Sequence, residues 1–330
     1  MKKKVLETIK KFRLIENGDK LVLGVSGGPD SIAMLNILNE IKNDEKINLD
    51  YEIVVAHINH MIREEAKEDE LYVKDYCEKK DIEFYSKSID VKKLANTNKI
   101  GTEEAGRNVR YEFFNEILEK THSNKIAIAH NKNDSAETII MNIIRGSGIS
   151  GLKGIEAKRG LYIRPLIQCE RKEIENYCNE YNLNPRIDKT NFENEYTRNK
   201  IRNIVIPYVR KEFNPNIVHT LERLSDLVKE EEDYIEKQVI DIYNNILIEE
   251  KDKEILLDLK KFNIQEKVIK SRLILYTITR LFGNSKGIEK IHIEDIIKLC
   301  NNNIGNKYLM PNKKIKILVK NHKIYFLSQI

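Results

Sequence analysis

One short segment concentrates residues suited to holding phosphate. The β-rich run 21–25 breaks at Ser26-Gly27-Gly28-Pro29-Asp30-Ser31, and an apolar-periodic helical pattern follows. Glycines let backbone amides come close to an anion, the start of a helix adds partial positive charge, and the two serine hydroxyls can donate hydrogen bonds. The turn itself fits neither the Gly-x4-Gly-Lys-Ser/Thr nor the Gly-x-Gly-x-x-Gly spacing, which argues against kinase-like transfer and dinucleotide binding there.

Later segments carry further polar groups. His57-Ile58-Asn59-His60-Met61-Ile62-Arg63 puts two histidines and an arginine where a second β run ends. Arg107 and Arg110 lie three apart in a helical stretch that opens with Glu103 and Glu104. They share a face, and guanidinium groups can bind phosphates or offset charge developing in a transition state. His130-Asn131-Lys132-Asn133-Asp134-Ser135-Ala136-Glu137 follows another β run. Asp134 as N-cap with Glu137 three residues on reads as a capping box. As chemistry, two carboxylates could bind an ammonium group, hold magnesium or accept a proton, with His130 near enough to contribute. Arg145-Gly146-Ser147-Gly148, Asp188-Lys189-Thr190-Asn191 and Arg198-Asn199-Lys200-Ile201-Arg202 either supply turn hydrogen bonds or face a substrate.

The elements that must position these groups alternate. β-like runs at 20–25, 51–57, 82–89, 125–129 and 161–166 are separated by helical patterns at 32–41, 64–80, 102–120, 135–145 and 170–181. That order predicts βαβ units and a doubly wound, mostly parallel α/β sheet, with ligands beyond the carboxyl ends of the strands, where the motifs fall. After Pro207 the pattern changes. Pro215 suits a first helical turn and a charged amphipathic helix covers 216–245, followed by helical runs at 264–281 and 294–300 and β-like runs at 315–319 and 324–327. A catalytic domain over 1–212 and a smaller, mainly α-helical domain over 213–330 are therefore expected.

Composition bounds the class. With 330 residues, 41% hydrophobic and 33% charged, the chain is long enough for two folded domains. It has no apolar stretch of about 18 residues, the length that spans a bilayer. Its basic start, Met1 to Lys4, is followed by Glu7, Lys10, Lys11 and Arg13 rather than by an apolar core. A cytoplasmic protein without membrane contact is expected. Cys77, Cys169, Cys178 and Cys300 are scattered, with no Cys-x-x-Cys pair, and read as reduced, buried thiols. A net charge of +5 permits a polyanionic partner without marking a dedicated nucleic-acid binder.

The turn at 26–31 resembles the Ser-Gly-Gly-x-Asp-Ser signature of the PP-loop ATP-pyrophosphatase superfamily. The later motifs resemble those of tRNA(Ile)-lysidine synthetases: Glu-x-x-Ala-Arg-x-x-Arg-Tyr at 103–111, with Gly106 in the alanine position, His-x-x-x-Asp-x-x-Glu-Thr at 130–138, Arg-Gly-Ser-Gly at 145–148, Arg-Pro-Leu at 164–166, Asp-x-Thr-Asn at 188–191 and Arg-Asn-x-x-Arg at 198–202. Asn131 departs from the family, which commonly has a second histidine there. The resemblance is dense over 20–208 and looser to Asn312; longer members carry a further C-terminal domain, which leaves acceptor-stem recognition open here.

That resemblance implies an adenine nucleotide α-hydrolase-like, Rossmann-like domain. ATP is the co-substrate, with Mg2+ expected. Ser26, Gly27, Gly28, Pro29, Asp30 and Ser31 would hold its pyrophosphate part, with His57 on the nucleotide side. Catalytic roles would fall to Asp30, Arg107, His130, Asp134 and Glu137, and substrate contacts to Asp134, Glu137, Arg145, Arg198 and Arg202. The implied partners are tRNA(Ile) with a CAU anticodon and L-lysine, which is joined to C2 of the wobble cytidine through an adenylated intermediate. A homodimer is one option for the assembly. A PP-loop tRNA thiolase, an amidating synthetase and a non-enzymatic RNA-binding module are the alternatives. The scattered cysteines speak against the first, the arginine motifs against the second, and the complete loop against the third.

Overall fold

The computed structural model describes residues 1–61, 66–186, 193, 196–302 and 307–329. The chain divides into two compact units, Met1–Asp226 and Leu227–Ile330. The first unit runs α1 (Lys2–Phe12), β1 (Asp19–Gly24), α2 (Pro29–Lys42), β2 (Tyr51–Asn59), α3 (Ala66–Lys79), β3 (Glu83–Ser88), α4 (Val91–Asn98), α5 (Thr102–Lys120), β4 (Lys125–Ile128), α6 (Lys132–Ile144), β5 (Lys158–Arg159), β6 (Tyr162–Ile163), α7 (Arg171–Glu180), α8 (Thr197–Lys200) and α9 (Ile206–Glu212). Helix α10 (Ile217–Ile246) begins in it.

Its sheet has the order β3-β2-β1-β4-β6-β5. All pairs are parallel except β5 with β6. The strands alternate their side chains between two layers, as the pleat requires. Leu21, Leu23, Val55 and Ala127 join Ile32, Leu35 and Ile174 of α2 and α7 in one buried cluster. Val22, Val54 and Ile126 join Phe113, Phe114 and Ile117 of α5 in another. Helices on both faces make the predicted doubly wound plan. The sequence expected a strand over 161–166, but only Tyr162–Ile163 forms one. The ladder stops there because Pro165 has no amide to donate and the Arg164 carbonyl turns to accept from the Ile167 amide at 3.1 Å.

The chain turns from building outward through β2 and β3 to pairing β4 on the other side of β1. That reversal leaves a crevice beyond the carboxyl ends of β1 and β4, the position where open α/β sheets bind ligands. At the opposite end of the same two strands Lys125 Nζ lies 2.6 Å from Asp19 Oδ2, both side chains buried.

The second unit contains the rest of α10, then β7 (Leu247–Lys251), β8 (Glu254–Asp258), α11 (Leu259–Asn263), α12 (Lys267–Phe282), α13 (Lys290–Asn302), β9 (Lys307–Asn312), β10 (Ile315–Lys320) and β11 (Lys323–Ser328). Helices α10, α12 and α13 fall on the three expected runs, the short α11 was not foreseen, and the sheet is larger than the sequence suggested. Five antiparallel strands in the order β7-β8-β11-β10-β9 accompany them, of which only β10 and β11 were legible.

Candidate active site

The phosphate turn follows β1 directly. Gly27 has φ +89°, a left-handed backbone that side chains resist, and Gly28 is the N-cap of α2 with Pro29 at its first position. The two serines lock the turn: Ser31 Oγ donates to the Gly28 carbonyl at 3.0 Å, accepts from the Ser26 amide at 3.1 Å and lies 3.2 Å from Ser26 Oγ. Just before the turn, a Cβ on Gly24 would sit 2.4 Å from the Phe114 ring, so glycine there lets α5 press against β1. The result is a preformed N-terminus of a 14-residue helix facing the crevice.

Across the crevice, β4 feeds α6. The expected capping box does form, one turn earlier than the sequence reading placed it. Asn131 is the N-cap, its Oδ1 accepts from the Asp134 amide, and Asp134 Oδ2 accepts from the Asn131 amide, each at 3.0 Å. Glu137 is thereby free of the cap and points into the site. The Asn131 side chain then reaches across, Nδ2 donating to Asp30 Oδ1 at 2.9 Å. The residue that departs from the family thus joins the phosphate turn to the acidic pair.

Asp134 and Glu137 are buried and held by three guanidinium groups. Arg198 Nε donates to Glu137 Oε2 at 2.9 Å, and Arg202 donates from Nε to Glu137 Oε1 at 2.7 Å and from a terminal nitrogen to Asp134 Oδ1 at 3.0 Å. Arg171, the first residue of α7, lies 3.5 Å from Asp134 and 3.7 Å from Glu137. Arg198 and Arg202 are four apart on a right-handed helical run that continues from α8 into α9 through a π-helical turn at Ile201–Val205. That spacing brings both onto one carboxylate.

Electrostatics follow from this packing. Burial pushes the Asp30 carboxyl up, the Asp134 charge pushes it further, and Arg171, Asn131 and Arg202 oppose both, leaving it at about 6. Burial would also raise Asp134, but Arg198 and the other nearby cations hold it below the usual range. Burial drives His130 down to about 4, against the pull of Asp134. Its Nδ1 accepts from Arg164 Nε at 3.2 Å, so Nε2 carries the proton of a neutral ring. Arg164 also donates to the Glu156 carbonyl at 2.7 Å. His57 donates from Nδ1 to the Val25 carbonyl at 2.9 Å, tying β2 to the start of the turn. Its Nε2 is buried without a hydrogen-bond partner among the described residues.

Ser26 to Ser31, Asp30, Asp134, Glu137, Arg198 and Arg202 therefore come together, with His57 at the loop and His130 beside the pair. Two expected members stand apart. Arg107 is exposed on α5, with its guanidinium 5.4 Å from the Tyr111 ring centre. Arg145 is exposed at the far end of α6, eleven residues and so about 16 Å along the axis from Asp134. The Gly146 to Gly151 segment has Gly-x-Gly-x-x-Gly spacing, yet it follows a helix and enters a 3-10 turn at Ile149–Lys153, which is not the strand-to-helix context of dinucleotide binding. Arg63, Asp188, Thr190 and Asn191 lie outside the described residues. Sequence reasoning missed Asn131 and Arg171. An Asn-x-x-Asp spacing could have flagged the first as a cap, whereas nothing local marks Arg171.

A parallel doubly wound sheet with a Ser-Gly-Gly-Pro-Asp-Ser turn at its switch point defines a nucleotide-using PP-loop protein, and the family model described as PP-loop domain matches residues 1–209. The chain is 44% identical over 328 residues to tRNA(Ile)-lysidine synthase of Clostridioides difficile (strain 630), covering 99% of this chain and 70% of that protein. It is 47% identical over 310 residues to the protein of the same name from Clostridium acetobutylicum, covering 93% and 66%. It belongs to the tRNA(Ile)-lysidine synthase family and spans about two thirds of the length of such relatives. Among solved structures, the U34-tRNA thiolase NcsA from Methanococcus maripaludis shares the fold, with TM-score 0.55 and 21% identity over 68% of this chain and 77% of that one.

Proposed function

We propose that the chain is an AMP-forming carbon-nitrogen ligase that joins L-lysine to C2 of the wobble cytidine in the CAU anticodon of tRNA(Ile), forming lysidine. The C2 oxygen attacks the α-phosphorus of ATP and pyrophosphate leaves, so the tRNA carries AMP on that oxygen. The lysine ε-amine then adds to C2, the C2–O bond breaks, and AMP departs with the oxygen as the amine gives up a proton. One contact carries this reading: the Asn131 amide on Asp30, 2.9 Å, which puts the phosphate turn and the guanidinium-acid cluster in one site.

In this account the amides of Gly27, Gly28, Asp30 and Ser31 and the Ser26 hydroxyl hold the outer phosphates, while Ser31 Oγ fixes the turn through the Gly28 carbonyl, leaving the inner phosphate facing Arg198 and Arg202. His57 Nε2, an acceptor in need of a donor, serves the nucleotide side. Asp134 and Glu137 present the arginines, because Arg198 and Arg202 take both Glu137 oxygens, and Arg202 and Asn131 take one Asp134 oxygen each. Three guanidinium groups against Asp30, Asp134 and Glu137 make a cluster of balanced charge. The lysine ε-amine must be neutral to attack, and a carboxylate of this cluster can take the proton it gives up. Mg2+ fits the donor set at Asp30, a hard carboxylate oxygen ligand beside another negative charge, and when bound it neutralises phosphate charge. The 213–330 region serves tRNA binding in this account, with Lys313, Lys314 and Lys320 exposed on it.

The thiolase alternative needs thiolates. Burial pushes Cys77, Cys169 and Cys300 up to about 12 and Cys178 to about 11, so the thiols stay protonated near neutrality. The test is incubation with Mg-ATP, labelled lysine and a CAU-bearing tRNA(Ile) transcript. Label stably attached to RNA with stoichiometric AMP supports the assignment; ADP as product, or bound tRNA that takes up no label, contradicts it.

A further inference from the structure

The helical run that carries Arg198 and Arg202 into the acidic pair has a second, outward face. Its inner side is apolar and packed: Ile201 and Ile206 are buried against Ala136 and Ile139 of α6 and Val218 and Leu221 of α10. Its outer side is apolar too, yet nothing among the described residues covers it. Ile204 is 52% exposed, Tyr208 59% and Phe213 73%. Ile204 and Tyr208 are four residues apart and share one helical face. The Tyr208 and Phe213 rings meet edge to face, 5.9 Å between centres at 62°. Large exposed apolar groups clustered in this way mark a contact surface rather than a solvated one.

Charge says what the surface meets. Between Tyr196 and Asn214 the sequence holds Arg198, Lys200, Arg202, Arg210 and Lys211 against the single acid Glu212. Lys200, Arg210 and Lys211 are exposed along the same run, Lys211 with its ammonium 2.9 Å from the Glu212 carboxylate. A second copy of the chain seated on this face would set like charges against each other, which costs free energy. A polyanion with flat, unpaired rings gains on both counts: phosphates meet the basic residues and bases stack on the aromatics. Tyr208 lies six residues beyond Arg202, about 9 Å along the helix axis. A base next to one held at the acidic cluster can reach it.

We propose that Tyr208 and Phe213, on a helical run that also exposes Lys200, Arg210 and Lys211, form a stacking platform for unpaired nucleotides flanking the modified cytidine. The proposal rests on the lysidine reading and gives its RNA a place on the first unit. Bases splayed onto the platform are held while the cytidine enters the crevice, and the helix that binds them also places the arginines.

The test compares the full chain with Tyr208→Ala/Phe213→Ala, and with Tyr208→Phe, which keeps the stacking ring. Ligation kinetics are followed against tRNA concentration, and light scattering reports the assembly state. Wild-type ligation is measured first, so that loss of the lysidine reading itself shows there and not in the variants. The double variant is expected to raise KM for tRNA about tenfold or more, far beyond any change in kcat, while Tyr208→Phe stays near wild type. Ultraviolet crosslinking of the wild-type chain to the same RNA, which needs no variant to fold, is expected to map to Tyr208 or Phe213. An unchanged KM in an active enzyme overturns the platform. So do crosslinks confined to other residues, or a double variant whose one effect is to split a dimer.

Discussion

Arg202 meets Glu137 at two points, Nε to Oε1 at 2.7 Å and a terminal nitrogen to Oε2 at 2.9 Å, with the carboxylate almost fully buried. This planar, two-pronged pairing is one that lysine cannot reproduce. Arg202→Ala leaves two buried acids short of a partner and is expected to destabilise the first unit by about 3 kcal/mol. Ligation should fall by about a hundredfold or more, as with loss of other groups that stabilise developing charge. Arg202→Lys should recover part of the stability and little of the rate. Urea unfolding and single-turnover ligation measure the two; equal recovery of both would show that charge alone matters.

Asp30 offers the opposite balance. Burial and the Asp134 charge raise its folded carboxyl to about 6 from the ordinary 3.8. The folded state therefore binds the proton more tightly, and this group's contribution to stability is lost as pH rises from about 4 to about 6. Asp30→Asn removes the penalty. Measured without Mg2+ at neutral pH, it is expected to be more stable than wild type by on the order of 1 kcal/mol, while AMP formation drops by about a hundredfold or more. An active Asp30→Asn enzyme would remove this carboxylate from the chemistry.

His130 and His60 are each driven by burial to about 4, against the ordinary 6.5 of an imidazole. Here the unfolded state binds protons first as pH falls, so the stability is fully present above about 6.5 and is lost on the way down to 4, by at most about 1.4 kcal/mol per pH unit for each group. The urea midpoint should fall between pH 7 and pH 5, and His130→Gln should flatten that fall. A His130→Gln profile as steep as wild type would contradict the buried neutral imidazole.

The pair at the other end of the sheet separates folding from function. Lys125 and Asp19 are both buried, and burial, which would raise the Asp19 carboxyl, is overcome by Lys125 and the neighbouring donors. Lys125→Met should cost about 3–5 kcal/mol by stranding Asp19, and adding Asp19→Leu should return much of it. Ligation per folded molecule should not change, since both residues lie at the amino ends of β1 and β4. A drop in kcat would show coupling along these strands.

The sequence made the catalytic unit readable where local rules act. Short apolar, β-rich runs marked β1, β2 and β4, and the glycine-rich turn announced the start of α2. The acidic pair was legible as types and spacing, but its geometry was not: the cap belongs to Asn131 rather than Asp134, because the chain leaves β4 extended through Asn131 before turning. Arg171 was hidden because only the fold brings α7 beside α6. In the second unit β7, β8 and β9 escaped notice: Leu247–Lys251 is strongly polar, Glu254–Asp258 holds three consecutive apolar residues, and none of the three strands has the strict alternation that signals a half-buried strand.

The account turns on which phosphorus the cytidine oxygen attacks, and that oxygen can be followed. A tRNA(Ile) transcript carrying a heavy-oxygen label at the C2 carbonyl of its wobble cytidine, turned over with ATP and lysine, should yield AMP whose phosphate contains the label and pyrophosphate that does not. Labelled pyrophosphate or inorganic phosphate, or lysidine formed alongside unlabelled AMP, would contradict a loop that shields the outer phosphates and leaves the inner one open.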